Sequence, residues 1–333
     1  MRIPLPPKSA SFEYYNSCSI LIPLVGKGAS DRAEAPFLQF KGKVSQSGSD
    51  CSCLETFKKT GNSTLREKDN TLRGENKMNE LLKMTAHQVK EGKFDKVILA
   101  IGSCEAHGQH LAEGCDTIVS HELSKQVADR VPGMLVLPPI TVGYSGHYDT
   151  FPFTLTFDYE TMIHVIFDIM ESVLRNGINK IFLMNGHDGN IAPIEIAARK
   201  IKEKYPDARI ASLPEWWVIA GKLVPEGTFE VWNGLGHAGE GESSIAYHLF
   251  PQWCEPDQAT CVVPDHLPEH VDIKWDFAEI TDTAQTGDAT AATAAKGKLM
   301  NDCLVEAVVK DIEELDKNGW NYNTSRCTTK LKK

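Results

Sequence analysis

From residue 78 onward, apolar positions along this chain alternate between two patterns. Short unbroken runs, Val97-Ile98-Leu99-Ala100-Ile101 and Ile181-Phe182-Leu183-Met184, read as strands buried on both faces. Elsewhere the apolar residues recur every three or four positions. Met162, Ile163, Ile166, Ile169, Met170, Val173 and Leu174 predict an amphipathic helix over 159–176, with Asn176-Gly177 as its stop. The same reading gives strands at 97–102, 134–138, 180–184 and 208–213. It gives further helices at 118–131, 191–205 and 289–315, the last with a break allowed. This rhythm predicts an α/β fold, a three-layer sandwich with a largely parallel sheet flanked by helices. Residues 251–284 carry little helical pattern and are expected to form a hairpin or irregular loops.

Residues 1–77 break the rhythm. They are rich in Ser, Lys, Gly and Asn, and Ser19-Ile20-Leu21-Ile22-Pro23-Leu24-Val25 is their one apolar run. That run is short, interrupted by Pro23 and without a strongly basic flank, so it does not read as a signal peptide. The composition predicts a disordered or loosely attached extension over 1–77, a main domain over 78–320 and a polar tail over 321–333. Leu81, Leu82, Met84 and Val89 begin a helical pattern just after Met78. Met78 is therefore the expected natural start, and N-terminal sequencing of the native protein checks it.

The residues able to do chemistry cluster at strand ends. After the first run come Glu105, His107 and Asp116, two carboxylates and an imidazole within twelve residues. If the chain stays extended, Glu105 and His107 share a face. Carboxylate and imidazole together suit a divalent metal. After the second run come Asn185-Gly186-His187-Asp188-Gly189-Asn190, and the C-terminal edge of an open α/β sheet is where ligands bind. A third group, His237-Ala238-Gly239-Glu240-Gly241-Glu242-Ser243-Ser244, leads into a helical pattern and places Glu242 in a first helical turn.

Taken in order, these motifs resemble the creatininase family of metal-dependent amidohydrolases. Gly102-Ser103-Cys104-Glu105-Ala106-His107-Gly108-Gln109-His110-Leu111 matches the family's G-S-x-E-Q-H-G-x-H-L, with Asp116 at the family's spacing. Asn185 to Asn190 matches N-G-H-G-G-N, and His237 to Ser244 matches H-A-G-x-x-E-T-S. Weaker matches are Tyr144 to Pro152, with His147, and a closing helix beginning in Gly287 to Gly297. The resemblance spans residues 96–312. Three departures stand out: Ala106 for Gln, Ala112 for Pro, and Phe153 for the Gly of Phe-Pro-Gly-Thr. Phe153 is expected to add bulk near the pocket.

The resemblance implies two divalent ions, Zn, Mn or Fe. Glu105, Asp116 and His187 would hold one, and His107 with a bridging Asp116 the other. Creatininase takes a further ligand from a Glu two residues after the motif His, where this chain has Gly189. Three solutions stand open: Glu242 closes the second site, Asp188 reaches in, or the second ion is weak. Glu242 is favoured. His237 matches the family's catalytic His and is the expected proton shuttle. His147, Asp188 and Ser145 are expected to contact substrate. Trp216 and Trp217 are candidates for the pocket wall or for core.

The implied activity is hydrolysis of a non-peptide C–N bond, in a cyclic amide or formamide, by a metal-activated water. Alternatives are a formamide deformylase acting on a pyrimidine nucleotide intermediate, a peptidase of small precursors, and a silent metal-binding member. The resemblance also implies a homo-oligomer, a hexamer. The resemblance likewise implies a small-molecule amide as partner. A formal charge of −10 argues against nonspecific nucleic-acid binding, and no apolar stretch approaches the ~20 residues that span a bilayer. Nine scattered cysteines with no C-x-x-C fit a reducing compartment, hence a cytoplasmic expectation.

Overall fold

The computed structural model describes residues 79–264 and 274–321, all within one compact unit, Arg66–Lys333. The expectations for 1–77 and for the tail from 322 onward lie outside the described residues. A short helix, α1 (Ala86–Glu91), is closed by a capping box in which Thr85 and Gln88 satisfy each other's backbone N–H. The chain then alternates β1 (Lys96–Ile101), α2 (Cys115–Arg130), β2 (Met134–Val136), α3 (Tyr159–Arg175), β3 (Lys180–Asn185), α4 (Ile191–Lys204), β4 (Arg209–Leu213) and α5 (Trp216–Leu223). Helix α6 (Glu240–Leu249), the two-residue strands β5 (Cys261–Val262) and β6 (Gly287–Asp288), and helix α7 (Ala294–Lys317) complete it.

The four long strands form one wholly parallel sheet in the order β2-β1-β3-β4. Alternate residues divide between its faces. Val97, Leu99, Ile101, Ile181 and Leu183 pack with Met162, Ile166 and Met170 of α3 and Ile194, Ala197 and Ile201 of α4. Ile98, Phe182 and Met184 pack with Val119, Leu123 and Val127 of α2 and Leu304, Val308 and Ile312 of α7. The expected three-layer sandwich is what the chain builds. Helix α3 starts where expected because Asp158 caps it, accepting from Thr161 N–H at 2.6 Å.

One boundary differs from expectation for a physical reason, while the break allowed in the closing helix and the irregular region 251–284 are both found. Helix α2 begins at Cys115 rather than 118, so Asp116 sits in its first turn, where a carboxylate complements the helix dipole. The closing helix divides into a 3-10 turn at Ala289–Ala291 and α7, because Thr293 caps α7 by accepting from Lys296 N–H. The region 251–284 holds 3-10 turns at Pro251–Trp253, Pro256–Gln258 and Phe277–Glu279, and its β5 pairs antiparallel with β6.

The strand order positions the site. From β1 the chain crosses to β2 on one side, then returns to β3 on the other. The C-terminal ends of β1 and β3, paired through Ile101 and Asn185, flank the point where that direction reverses. Such a point leaves a crevice for ligands. Among the described residues, no helix is long and apolar enough to cross a membrane.

Candidate metal centre

Glu105 and His107 lie on the loop leaving β1, Asp116 on the first turn of α2, and His187 just past β3. The loop does not stay extended as the alternation argument assumed. It turns at Gly108, with φ 63, and Gly108 N–H donates to Ala284 O at 2.7 Å. Glu105 and His107 are nevertheless both fully buried. Gly186 is what brings β3 close enough: a Cβ there would stand 2.4 Å from the Asp116 carbonyl oxygen. Only glycine lets the strand end close on α2 in this way.

The resulting distances are short. His187 Nδ1 lies 3.1 Å from Glu105 Oε1 and 3.1 Å from Asp116 Oδ2. His107 Nε2 lies 2.9 Å from Asp116 Oδ1. The opposite ring nitrogens are spent on backbone: His187 Nε2 donates to Tyr144 O at 2.8 Å, and His107 Nδ1 to Glu105 O at 3.1 Å. Each imidazole is therefore oriented by a carbonyl, with its other nitrogen aimed at carboxylates, an arrangement common behind metal-bound histidines. Ser103 Oγ donates to Asp116 Oδ2 at 2.7 Å. Neither Glu105 carboxylate oxygen receives a well-directed hydrogen bond, although both are buried.

Burial alone would push the Glu105 and Asp116 carboxyls up. His187 beside Glu105, and His107 beside Asp116, reverse this and hold both below the usual carboxylate range. The counterpart is seen in the imidazoles. Burial disfavours their charge, but Asp116 raises His107 to about 10, and Glu105 raises His187 well above its ordinary value. Glu242 goes the other way, pushed up to about 7 by burial against a smaller pull from His107.

These residues fit a divalent cation. Glu105, Asp116 and His187 offer three donor atoms mutually within 4.8 Å, and so do His107, Cys115 and Asp116. Asp116 belongs to both sets. Ligands at about 2.1 Å from a shared ion stand roughly 3.0–3.4 Å apart, as the 2.9–3.1 Å separations here nearly do without one. Glu105, His107 and His237 form a third set.

The other expected residues spread over two shells. His237 Nε2 donates to Ala106 O at 2.7 Å and its Nδ1 stands 4.0 Å from Glu105 Oε1. Burial, then the neighbouring His107, lowers His237 to about 3, so it is neutral at pH 7. Glu242 comes from the first turn of α6, where its Oε2 accepts Ala238 N–H at 2.7 Å. It shares a cavity of about 220 Å³ with Asp116, His187 and His237, but is not in any of the three donor sets. Of the expected substrate contacts, only the exposed Asp188 lines that cavity. Ser145 is buried behind His187, its Oγ 3.5 Å from Nε2, and His147 stacks on the His187 ring at 5.8 Å. Trp216 is core, while Trp217 lines the cavity. Phe153 does not line it: this residue is 87% exposed with φ 57. A left-handed backbone there accounts for the Gly of the family segment.

Sequence reasoning missed Tyr148, whose ring packs 4.5 Å from His237 and walls the cavity. Gly189 also acquires a reason. A Cβ at this position would stand 2.1 Å from Tyr144 O and 2.6 Å from His187 Nε2. The carbonyl that orients His187 occupies the space a side chain would need.

Fold and site together define an α/β protein with a buried carboxylate–imidazole cluster able to hold a divalent cation at a strand switch point. The creatininase family model, creatinine amidohydrolase, matches residues 82–312, and the chain belongs to this family. Its members include creatinine amidohydrolase of Pseudomonas putida, 28% identical over 66% of this chain and 88% of that protein. The mycofactocin precursor peptide peptidase of Mycobacterium ulcerans is 25% identical over 63% and 84%. A manganese creatininase structure superposes with TM-score 0.61 at 26% identity, covering 71% of this chain and 98% of that one. A mutant creatininase of Zn-Zn type gives 0.61 at 26%, covering 71% and 97%. The protein is thus a creatininase-family hydrolase with a metal-binding residue cluster.

Proposed function

We propose that this protein hydrolyses the C–N bond of a small non-peptide amide, a cyclic amide or a formamide, at a pair of divalent cations. The observation that carries this reading is that Asp116 belongs to two donor sets at once. Glu105, Asp116 and His187 would hold one ion. His107 and Asp116 would hold the other, with Glu242 completing it because Gly189 has no side chain to offer. Zn, Mn and Fe all suit this ligand set. When bound, such ions lower the pKa of a water toward neutrality and polarise an amide carbonyl.

The chain's own residues supply the rest. Tyr144 O and Glu105 O hold the two imidazoles in the orientation that exposes one nitrogen each. His237, held through Nε2, leaves Nδ1, 4.0 Å from Glu105 Oε1, to take a proton and pass it to the leaving nitrogen. Tyr148 and Trp217 wall the cavity and exclude water. At about 220 Å³, it is below the roughly 300–1,000 Å³ typical of drug-sized ligands, which favours a small substrate over an extended peptide. Among the described residues no Lys or Arg lines it, which disfavours a nucleotide phosphate. We also propose, from the family resemblance, a cytoplasmic homo-oligomer, a hexamer; light scattering tests the assembly.

The test is to load the purified protein with Zn, Mn or Fe and assay lactams, formamides and creatinine. Hydrolysis of at least one, abolished by chelation, is expected. Full metal occupancy with no turnover of any of the three would refute the proposal.

A further inference from the structure

We propose that Asp188 sets the charge preference of this site, selecting small amides that carry an ammonium, amidinium or guanidinium group. The inference rests on the amide-hydrolase reading above and deepens it. Asp188 directly follows His187, at the place where the motif N-G-H-G-G-N quoted above has Gly. Its side chain is exposed and lines the cavity together with Trp217.

The rest of the lining supports the same sign. Glu242 is the other acidic residue on the wall not shared by two donor sets, and among the described residues no Lys or Arg faces the cavity. A substrate carboxylate or phosphate would meet Asp188 with no compensating side chain. A cationic group would find Asp188 and the aromatic Trp217 on the same cavity wall, and aromatic rings attract cations. At a separation of about 5 Å near a protein surface, one such charge pair changes affinity on the order of tenfold at low salt, and less at high salt.

Three lactams on one ring test this: pyrrolidinone, its 3-amino derivative and pyroglutamate, neutral, cationic and anionic at pH 7. Calorimetric binding is measured on the metal-loaded protein, together with ring opening of each. The amino lactam is expected to bind about tenfold tighter than pyrrolidinone, with pyroglutamate weakest. Asp188→Asn should bring the amino-to-neutral ratio to near one, and Asp188→Lys should favour pyroglutamate. The ratio is compared at equal metal occupancy in parent and variants, fixed by elemental analysis of each sample. An unchanged ratio in Asp188→Asn, a preference for the anion in the parent protein, or no binding of any lactam overturns the proposal. Ring opening reports separately on the reaction: charge selection without turnover would sink the hydrolase reading and leave the role of Asp188 standing.

Discussion

Metal binding at this centre should release protons. Without a cation, the nitrogens facing the carboxylates carry protons: His107 is raised to about 10 by Asp116 against burial, and His187 well above its usual value by Glu105 against burial. At pH 7.5 a group with pKa near 10 is roughly 99% protonated. Loading both ions therefore displaces about two protons, one per ion, and apparent affinity rises about tenfold per pH unit for each ion, about 100-fold for the pair. Calorimetry in buffers of different ionisation enthalpy counts them directly. The stability of the metal-free protein should run the opposite way. The raised imidazole pKa values contribute stability that is fully present below the unfolded value of 6.5 and lost as pH climbs through about 10. The depressed carboxyls of Glu105 and Asp116 contribute stability present above about 4.5 and lost in acid. Metal-free protein is thus most stable between those limits, while metal-loaded protein gains as pH rises to 8. Breaking such a buried pair costs about 3–5 kcal/mol, enough to move Tm visibly. Release of fewer than half a proton, or parallel pH trends with and without metal, would refute the ion-pair reading.

Gly189→Ala should tilt His187 by forcing apart Cβ and the Tyr144 carbonyl, lowering metal affinity about 10–100-fold in a chelator competition titration. Glu242→Gln should deplete one ion and spare the other, measured by elemental analysis; full occupancy of both would show that Glu242 does not compensate for Gly189. Leu183→Ala, in the fully buried layer between β3 and α3/α4, should cost about 2–5 kcal/mol in urea unfolding while leaving metal stoichiometry unchanged.

The fold was readable because its strands are buried on both faces. Val97 to Ile101 and Ile181 to Met184 stand out as unbroken apolar runs, and the spacing of Met162 to Leu174 admits only a helix. The start of α2 was hidden because Gly114-Cys115-Asp116 looks like loop, the residues being chosen for the site and not for helix propensity. Glu105, His107, Asp116 and His187 could be read as donors from residue type and position. What holds them could not. The groups that orient the imidazoles are backbone carbonyls of Tyr144 and Glu105, which carry no side-chain signature. Tyr148 escaped because a Tyr beside a loop His is unremarkable until the 3-10 turn Gly146–Tyr148 folds it against His237. Gly189 read as a missing ligand, whereas in space it is the room a carbonyl needs.

The central claim is that one carboxylate, Asp116, serves two cations. Elemental analysis of purified protein beside Asp116→Ala tests it most directly. About two divalent ions per chain, both lost in the variant, is the predicted result. Unchanged metal content after removal of Asp116 would contradict the account.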